Sequence, residues 1–270
     1  METKSEQDTL DLEQALKYAE EFSELYHSEK VKRKALEIAN TQLREFSLNL
    51  ENAYQNINNA YLSALKCLSL AAEYKDGETG NHINRMSGYS VILATKYGCD
   101  KETVENIKYA SPMHDIGKVG VPDYILQKPD VLSREEFKII QQHTIIGENI
   151  LKGLKSPLAD LAGKIAVSHH EKWDGTGYPY NAKGENIPLE GRIVAIADVF
   201  DALTSSRPYK QPYSTQKAFE LIVNDRGIGF DPELVDVFEE CFEDFKSLKK
   251  SVDGENHKET EDFQLSARDN

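Results

Sequence analysis

The sequence predicts an all-α protein in three successive parts: a helical segment over residues 1–69, a helical domain over 70–247 and a flexible acidic tail over 248–270. Three observations carry that prediction. Residues 10–75 contain neither Pro nor Gly and are rich in Glu, Leu, Ala, Lys and Gln, which favour helix. Beyond residue 76 short stretches of helical periodicity alternate with Gly and Pro. No apolar/polar alternation of comparable strength marks a strand.

Taken in order, the first segment reads as one long helix or a helical hairpin. Within it Leu36, Ala39, Leu43, Phe46, Leu50, Ala53, Ile57, Ala60, Ala64 and Cys67 follow one another at spacings of three and four, a heptad seam. Upstream the same register puts Glu29 and Lys32 on the seam, so the coil shifts, loosens or ends there. Two readings stay open: an amphipathic helix folded onto its own domain, or a parallel dimerisation helix leading into a catalytic domain. In the second part, helices are expected at Val104–Ala110, Arg134–Leu151, Leu158–Val167, Arg192–Thr204 and Thr215–Asn224. After about Phe245 the chain turns polar, and residues 251–270 hold six acids against two bases, too little apolar surface to order itself.

A formal net charge of -14 argues against a binder of nucleic-acid polymers, which needs a basic face. An anionic substrate must therefore be drawn in by local cations. Cys67, Cys99 and Cys241 have neither zinc-ligand nor redox spacing and read as reduced thiols. No leader or membrane-spanning run is evident, so a cytoplasmic location and no membrane partner are expected.

Five of the seven histidines fall between residues 82 and 170. Glu78 and His82 are four apart and share a face if helical. His114 and Asp115 are adjacent within YASPMHDIGKVGVPD, His143 lies in a helical stretch, and His169 and His170 follow the apolar run KIAVS. Asp198 interrupts IVAIADVFDAL, where a buried carboxylate is costly unless it meets a cation. Such groups form the ligand set that iron, manganese or zinc accepts without thiolate, and their number suits two or three ions. Asp201, one turn beyond Asp198, is expected to support the site from behind, orienting Lys118. Glu78 has a second reading, as a cap or charge partner at a helix start. The loop WDGTGYP places two flexible glycines and a proline just after two candidate ligands.

The runs HDIGKVGVPD (114–123) and HHEKWDGTGYP (169–179) resemble the paired motifs of the HD-GYP family, a branch of the HD phosphohydrolases. The resemblance extends through ETGNH (78–82), QQH (141–143), ADVFDALTSSRPYK (197–210) and GIGFDPELV (227–235), about residues 70–245 in all. It implies an HD-type helical bundle with a C-terminal GYP extension and two or three divalent transition-metal ions, iron or manganese. The implied reaction is hydrolysis of cyclic di-GMP to linear pGpG, GMP or both by a metal-activated hydroxide. By the same resemblance His82, His114, Asp115, His143, His169, His170 and Asp198 are metal ligands, Asp115 is the bridge, and Glu78 is the extra carboxylate of members with a third metal. Lys118 stabilises developing charge or protonates the leaving oxygen. Tyr178, Arg207 and Lys210 contact substrate, the last two as phosphate grips. Two other readings remain: the same chemistry on cyclic GMP-AMP or another nucleotide phosphoester, and a non-catalytic cyclic-dinucleotide sensor. The N-terminal helix implies a homodimer and an upstream signalling partner.

Overall fold

The computed structural model describes the backbone of residues 2–76, 80–206 and 211–266 and the side chains of residues 11–75, 81–206 and 211–254. The chain divides into two compact units, Met1–Tyr61 and Leu62–Asn270. Among the described residues every regular element is helical, and β structure is confined to a bridge between Arg226 and Phe230.

Helix α1 (Glu2–Asp76) takes up the whole breaker-free segment, so the hairpin alternative is not what forms. Every side chain from residue 11 to 60 is exposed, the seam residues Leu36, Leu43, Phe46, Leu50 and Ile57 among them. The last turns of α1 belong to the second unit and bury Leu65, Ser69, Ala72 and Glu73 on one face. The boundary expected at residue 69 therefore moves to 61, because this face supplies core contacts that the heptad register, on Ala64 and Cys67, does not mark.

The second unit continues with α2 (Gly80–Tyr97), α3 (Lys101–Ala110), α4 (Asp123–Leu126), α5 (Arg134–Lys152), α6 (Pro157–Ser168), α7 (Leu189–Thr204), α8 (Thr215–Asn224), α9 (Pro232–Glu240) and α10 (Phe242–Ser266). Side-chain caps set several starts: Asp100 accepts from Thr103 N at α3, Ser156 from Ala159 N at α6, and Ser214 from Lys217 N at α8. Ser133 and Glu136 form a reciprocal capping box at α5. The five helices expected from periodicity all form, within three residues of their expected ends.

Tight packing of α5 against α6 depends on small residues. A Cβ on Gly147 would lie 3.2 Å from the Ala166 methyl, and Ala159, Ala162, Ile165 and Ala166 are fully or nearly fully buried. On the other side of the core Tyr89 stacks on Phe245 with ring centres 4.5 Å apart, and Phe200 meets Tyr89 edge-on at 5.3 Å. That aromatic cluster ties α2, α7 and α10 together. The last of these also continues past 248, where the tail was expected to begin. Helix α10 runs to Ser266, with Lys249 bonded to Asp253 at 3.0 Å and Asp253 to Arg85 at 3.0 Å.

Candidate metal centre

Six segments converge at the centre of the second unit. His82 and Arg85 lie in the first turns of α2, and His114 and Asp115 sit between the 3-10 turns Ser111–Met113 and Ile116–Gly120. His143 comes from the middle of α5, His169 and His170 from the end of α6, and Asp198 and Asp201 from α7. Helix α1 contributes Glu73. The seven described residues expected to be ligands come together in two groups: Asp115, His143, His169 and His170, and His82, His114 and Asp198. Within each group the potential ligand atoms lie within 4.8 Å of one another.

Asp115 stands between the groups. Its Oδ1 is 3.2 Å from His143 Nε2 and 3.6 Å from His169 Nε2, while its Oδ2 is 3.3 Å from His114 Nε2. His114 Nε2 in turn lies 3.8 Å from Asp198 Oδ1. The imidazoles are oriented from behind. Nδ1 of His114 is 2.9 Å from the Ser111 carbonyl, Nδ1 of His143 is 2.6 Å from the Ile140 carbonyl, and Nδ1 of His169 is 3.0 Å from the Ala166 carbonyl. A carbonyl only accepts, so each Nδ1 is a donor and a neutral ring turns its Nε2 lone pair inward. His114 Nε2, His143 Nε2, His169 Nε2 and Asp115 Oδ1 are buried and have no hydrogen-bond partner. Buried acceptors facing one another are costly unless a cation lies among them. This donor set fits a hard-to-borderline divalent metal.

Charge at the site divides in the same way. Burial disfavours the charged form of His114, but the carboxylates of Asp115, Asp198 and Glu73 outweigh it and push its pKa up to about 10. Positive charge is therefore favoured there. Burial would lift Asp115, yet Lys118 and His114 hold it well below the usual carboxylate range. Lys118 Nζ is 2.7 Å from Asp115 Oδ2. Burial lowers His169, and burial with His169 nearby lowers His170 further, which keeps both rings in the neutral form that binds metal.

Asp201 stands behind the site: its oxygens bind Arg85 Nε at 2.5 Å, Arg85 Nη2 at 2.9 Å and His82 Nδ1 at 2.8 Å. Burial would raise its pKa, but those hydrogen bonds hold it well below the usual range, so it stays ionised and makes His82 Nδ1 a donor. Tyr178 sits at the rim, its ring 4.8 Å from that of His170 and 5.9 Å from Phe137. Its loop folds back tightly, since a Cβ on Gly177 would collide with the backbone of Glu171 and Lys172. Glu171 accepts from Tyr180 N and Ala182 N at 2.7 and 3.0 Å and closes that loop. Glu78, Arg207 and Lys210 lie outside the described residues.

Sequence reading missed Glu73, Lys75 and Arg85. Glu73 is buried, 3.8 Å from His82 Nε2, and its pKa is raised by burial to about 7. Its signal was helical arithmetic: it stands four residues after Ser69 and eight after Leu65 on the buried face.

Compared with known families, residues 66–234 match the model of the HD domain. The chain belongs to the HD domain family. Within that family the His114-Asp115 pair and the Gly177-Tyr178-Pro179 loop make it an HD-GYP protein, in keeping with the relatives it matches. It is 43% identical over 188 residues to a cyclic di-GMP phosphodiesterase of Thermotoga maritima, covering 70% of this chain and 51% of that protein. It is 43% identical over 185 residues to a 3'3'-cGAMP-specific phosphodiesterase of Vibrio cholerae, covering 68% of this chain and 35% of that one. A solved structure of a cyclic GMP-AMP specific phosphodiesterase of Vibrio cholerae shares the fold of this HD-GYP domain, with a TM-score of 0.54 at 20% identity over 71% of this chain and 50% of that chain. The chain thus spans about half the length, or less, of these relatives. Among the described residues no helix is long and apolar enough to cross a membrane.

Proposed function

We propose that this HD-GYP domain hydrolyses a phosphodiester of a cyclic dinucleotide, cyclic di-GMP, giving linear pGpG, GMP or both. One observation carries the reading: Asp115 presents one oxygen to each of two clusters of candidate ligand atoms, of which His114 Nε2, His143 Nε2 and His169 Nε2 are buried without a hydrogen-bond partner. That arrangement serves paired cations, which phosphoester hydrolysis uses. The name of the Thermotoga maritima relative supports this substrate. The names of the Vibrio cholerae relatives favour 3'3'-cGAMP as a second reading, with the same chemistry.

In this proposal His143, His169 and His170 would hold one ion and His82, His114 and Asp198 a second, with Asp115 shared between the two groups. Glu78 offers a carboxylate to a third, and the metal is iron or manganese. When bound, such ions act as Lewis acids that make water nucleophilic near neutral pH and offset phosphoryl charge. The chain's own residues do the rest. Asp201 fixes the tautomer of His82, and Lys118, held at Asp115, protonates or screens the leaving oxygen. Tyr178 borders the substrate at the rim, and Arg207 and Lys210 grip its phosphates. A homodimer forms through α1, which relays the signal of an upstream partner. The free thiols of Cys67, Cys99 and Cys241 suit a cytoplasmic setting.

Metal analysis of anaerobically purified protein, joined to chromatography of products from cyclic di-GMP and from 3'3'-cGAMP, tests the proposal. Two or more equivalents of iron or manganese and turnover of cyclic di-GMP are expected. A fully loaded protein that cleaves neither dinucleotide would overturn it.

A further inference from the structure

Three acidic side chains beyond the expected ligands approach the centre: Asp201, Glu171 and Glu73. Both oxygens of Asp201 are taken by Arg85 and His82, and those of Glu171 by backbone N–H groups of its loop. Glu73 is different. It is 2% exposed, and its Oε2 is buried without a hydrogen-bond partner. Its Oε1 faces His82 Nε2 at 3.8 Å, beyond hydrogen-bond range.

The tautomer of His82 gives that approach its meaning. Because Nδ1 donates to the ionised Asp201, the Nε2 directed at Glu73 is an acceptor when the ring is neutral. A carboxylate and an imidazole lone pair then face each other away from water, with a second carboxylate oxygen unpartnered beside them. Such a pair is relieved by a cation between or beside the two groups, or by a proton on Glu73.

We infer that Glu73 is an additional carboxylate of the metal centre, which helps His82 hold the cation of the His82, His114 and Asp198 group. The inference rests on the metal-dependent reading above and assigns a role there to the end of α1. A purely structural Glu73 would instead stabilise the protein with or without metal.

The test uses the full chain stripped with chelator and retitrated with Mn2+, comparing wild type, Glu73→Gln and Glu73→Asp. Ions per chain are read by calorimetry and elemental analysis, and melting is followed with and without Mn2+. Glu73→Gln keeps the shape and removes the charge. It should lose one ion per chain, or bind that ion about 10–100-fold more weakly, the usual cost of altering a metal-site carboxylate. Without metal it should melt no lower than wild type, because it relieves a buried unpartnered carboxylate. Glu73→Asp should recover part of the lost affinity. Identical stoichiometry and affinity in wild type and Glu73→Gln would overturn the role of Glu73 while leaving the metal centre standing. An equal drop in melting temperature with and without Mn2+ would overturn it too, by showing a structural role. If wild type itself binds no Mn2+, the metal-dependent reading falls, and this inference with it.

Discussion

Asp115 is the residue on which most of the electrostatics converge. It touches Lys118 and three imidazoles, and its charge helps raise His114 to about 10. Asp115→Ala should therefore abolish turnover and strip most bound metal while circular dichroism shows helix content nearly unchanged; wild-type turnover in that variant would sink the metal mechanism. Asp201 has a different function, because its partner Arg85 is only 5% exposed. Asp201→Ala leaves that guanidinium buried with less compensation and should cost about 3–5 kcal/mol in denaturant unfolding. The pH sign follows from its lowered pKa. Stability from Asp201 is fully present above the unfolded-state value of about 3.9 and lost as pH falls through the lower folded value. The gap between wild type and variant should therefore narrow in acid below about pH 4, and a constant gap down to pH 2 would contradict the assignment. At this scale the clustering of the candidate ligand histidines was legible in the sequence because motif and resemblance mark them. The partners of Asp201 were not, since His82 and Arg85 meet it only across 119 and 116 residues of chain.

The loop that carries His114, Asp115 and Lys118 is held between two helices. On one side Gly117 lies so close to α5 that a Cβ would collide with the His143 carbonyl oxygen and the Gly147 nitrogen. Gly117→Ala must push this turn off α5, and overpacking of that kind costs about 1–3 kcal/mol. It should also weaken metal binding, because Asp115 and His143 move apart; a variant with unchanged metal affinity and melting temperature would refute the close approach. On the other side Lys75, in the last turn of α1, donates to the carbonyls of Lys118, Val119 and Val121 at 3.3, 2.9 and 2.6 Å. Lys75→Met removes all of those bonds while keeping the aliphatic stem. Amide exchange over residues 118–121 should accelerate and turnover fall several-fold, with metal content retained. Unchanged exchange in that loop would show that Lys75 does not hold it. Periodicity and caps made the helices readable, Ser133 with Glu136 at α5 being the plainest. The helical character of residues 248–266 was hidden by polar composition, because the aromatic anchor of α10, Phe245 on Tyr89 and Phe200, is a tertiary contact.

At the scale of the whole molecule the two compact units make different demands on the solvent. The second unit buries its own aromatic and aliphatic core, and every described candidate ligand lies within it. The first unit presents large apolar side chains to water: Leu36, Leu43, Phe46, Leu50 and Ile57 are each at least 60% exposed in the single chain. Fully burying one such side chain contributes about 1.5–3 kcal/mol, so a seam of this length, about 47 Å at helical rise, strongly favours a second helix against it. Its spacing of three and four is that of a heptad coiled coil, for which a second copy of the chain is the simplest partner. Light scattering of the full chain should accordingly give a dimer, and of residues 61–270 a monomer. The shortened chain keeps Leu65, Ser69, Ala72 and Glu73 and should bind the same number of ions per chain as the full one. Its turnover should differ from that of the full chain if α1 relays a signal. A full-length monomer would remove the coil from the account, and a dimeric 61–270 would move the interface into the second unit. Loss of metal on truncation would mean that the second unit does not by itself complete the site.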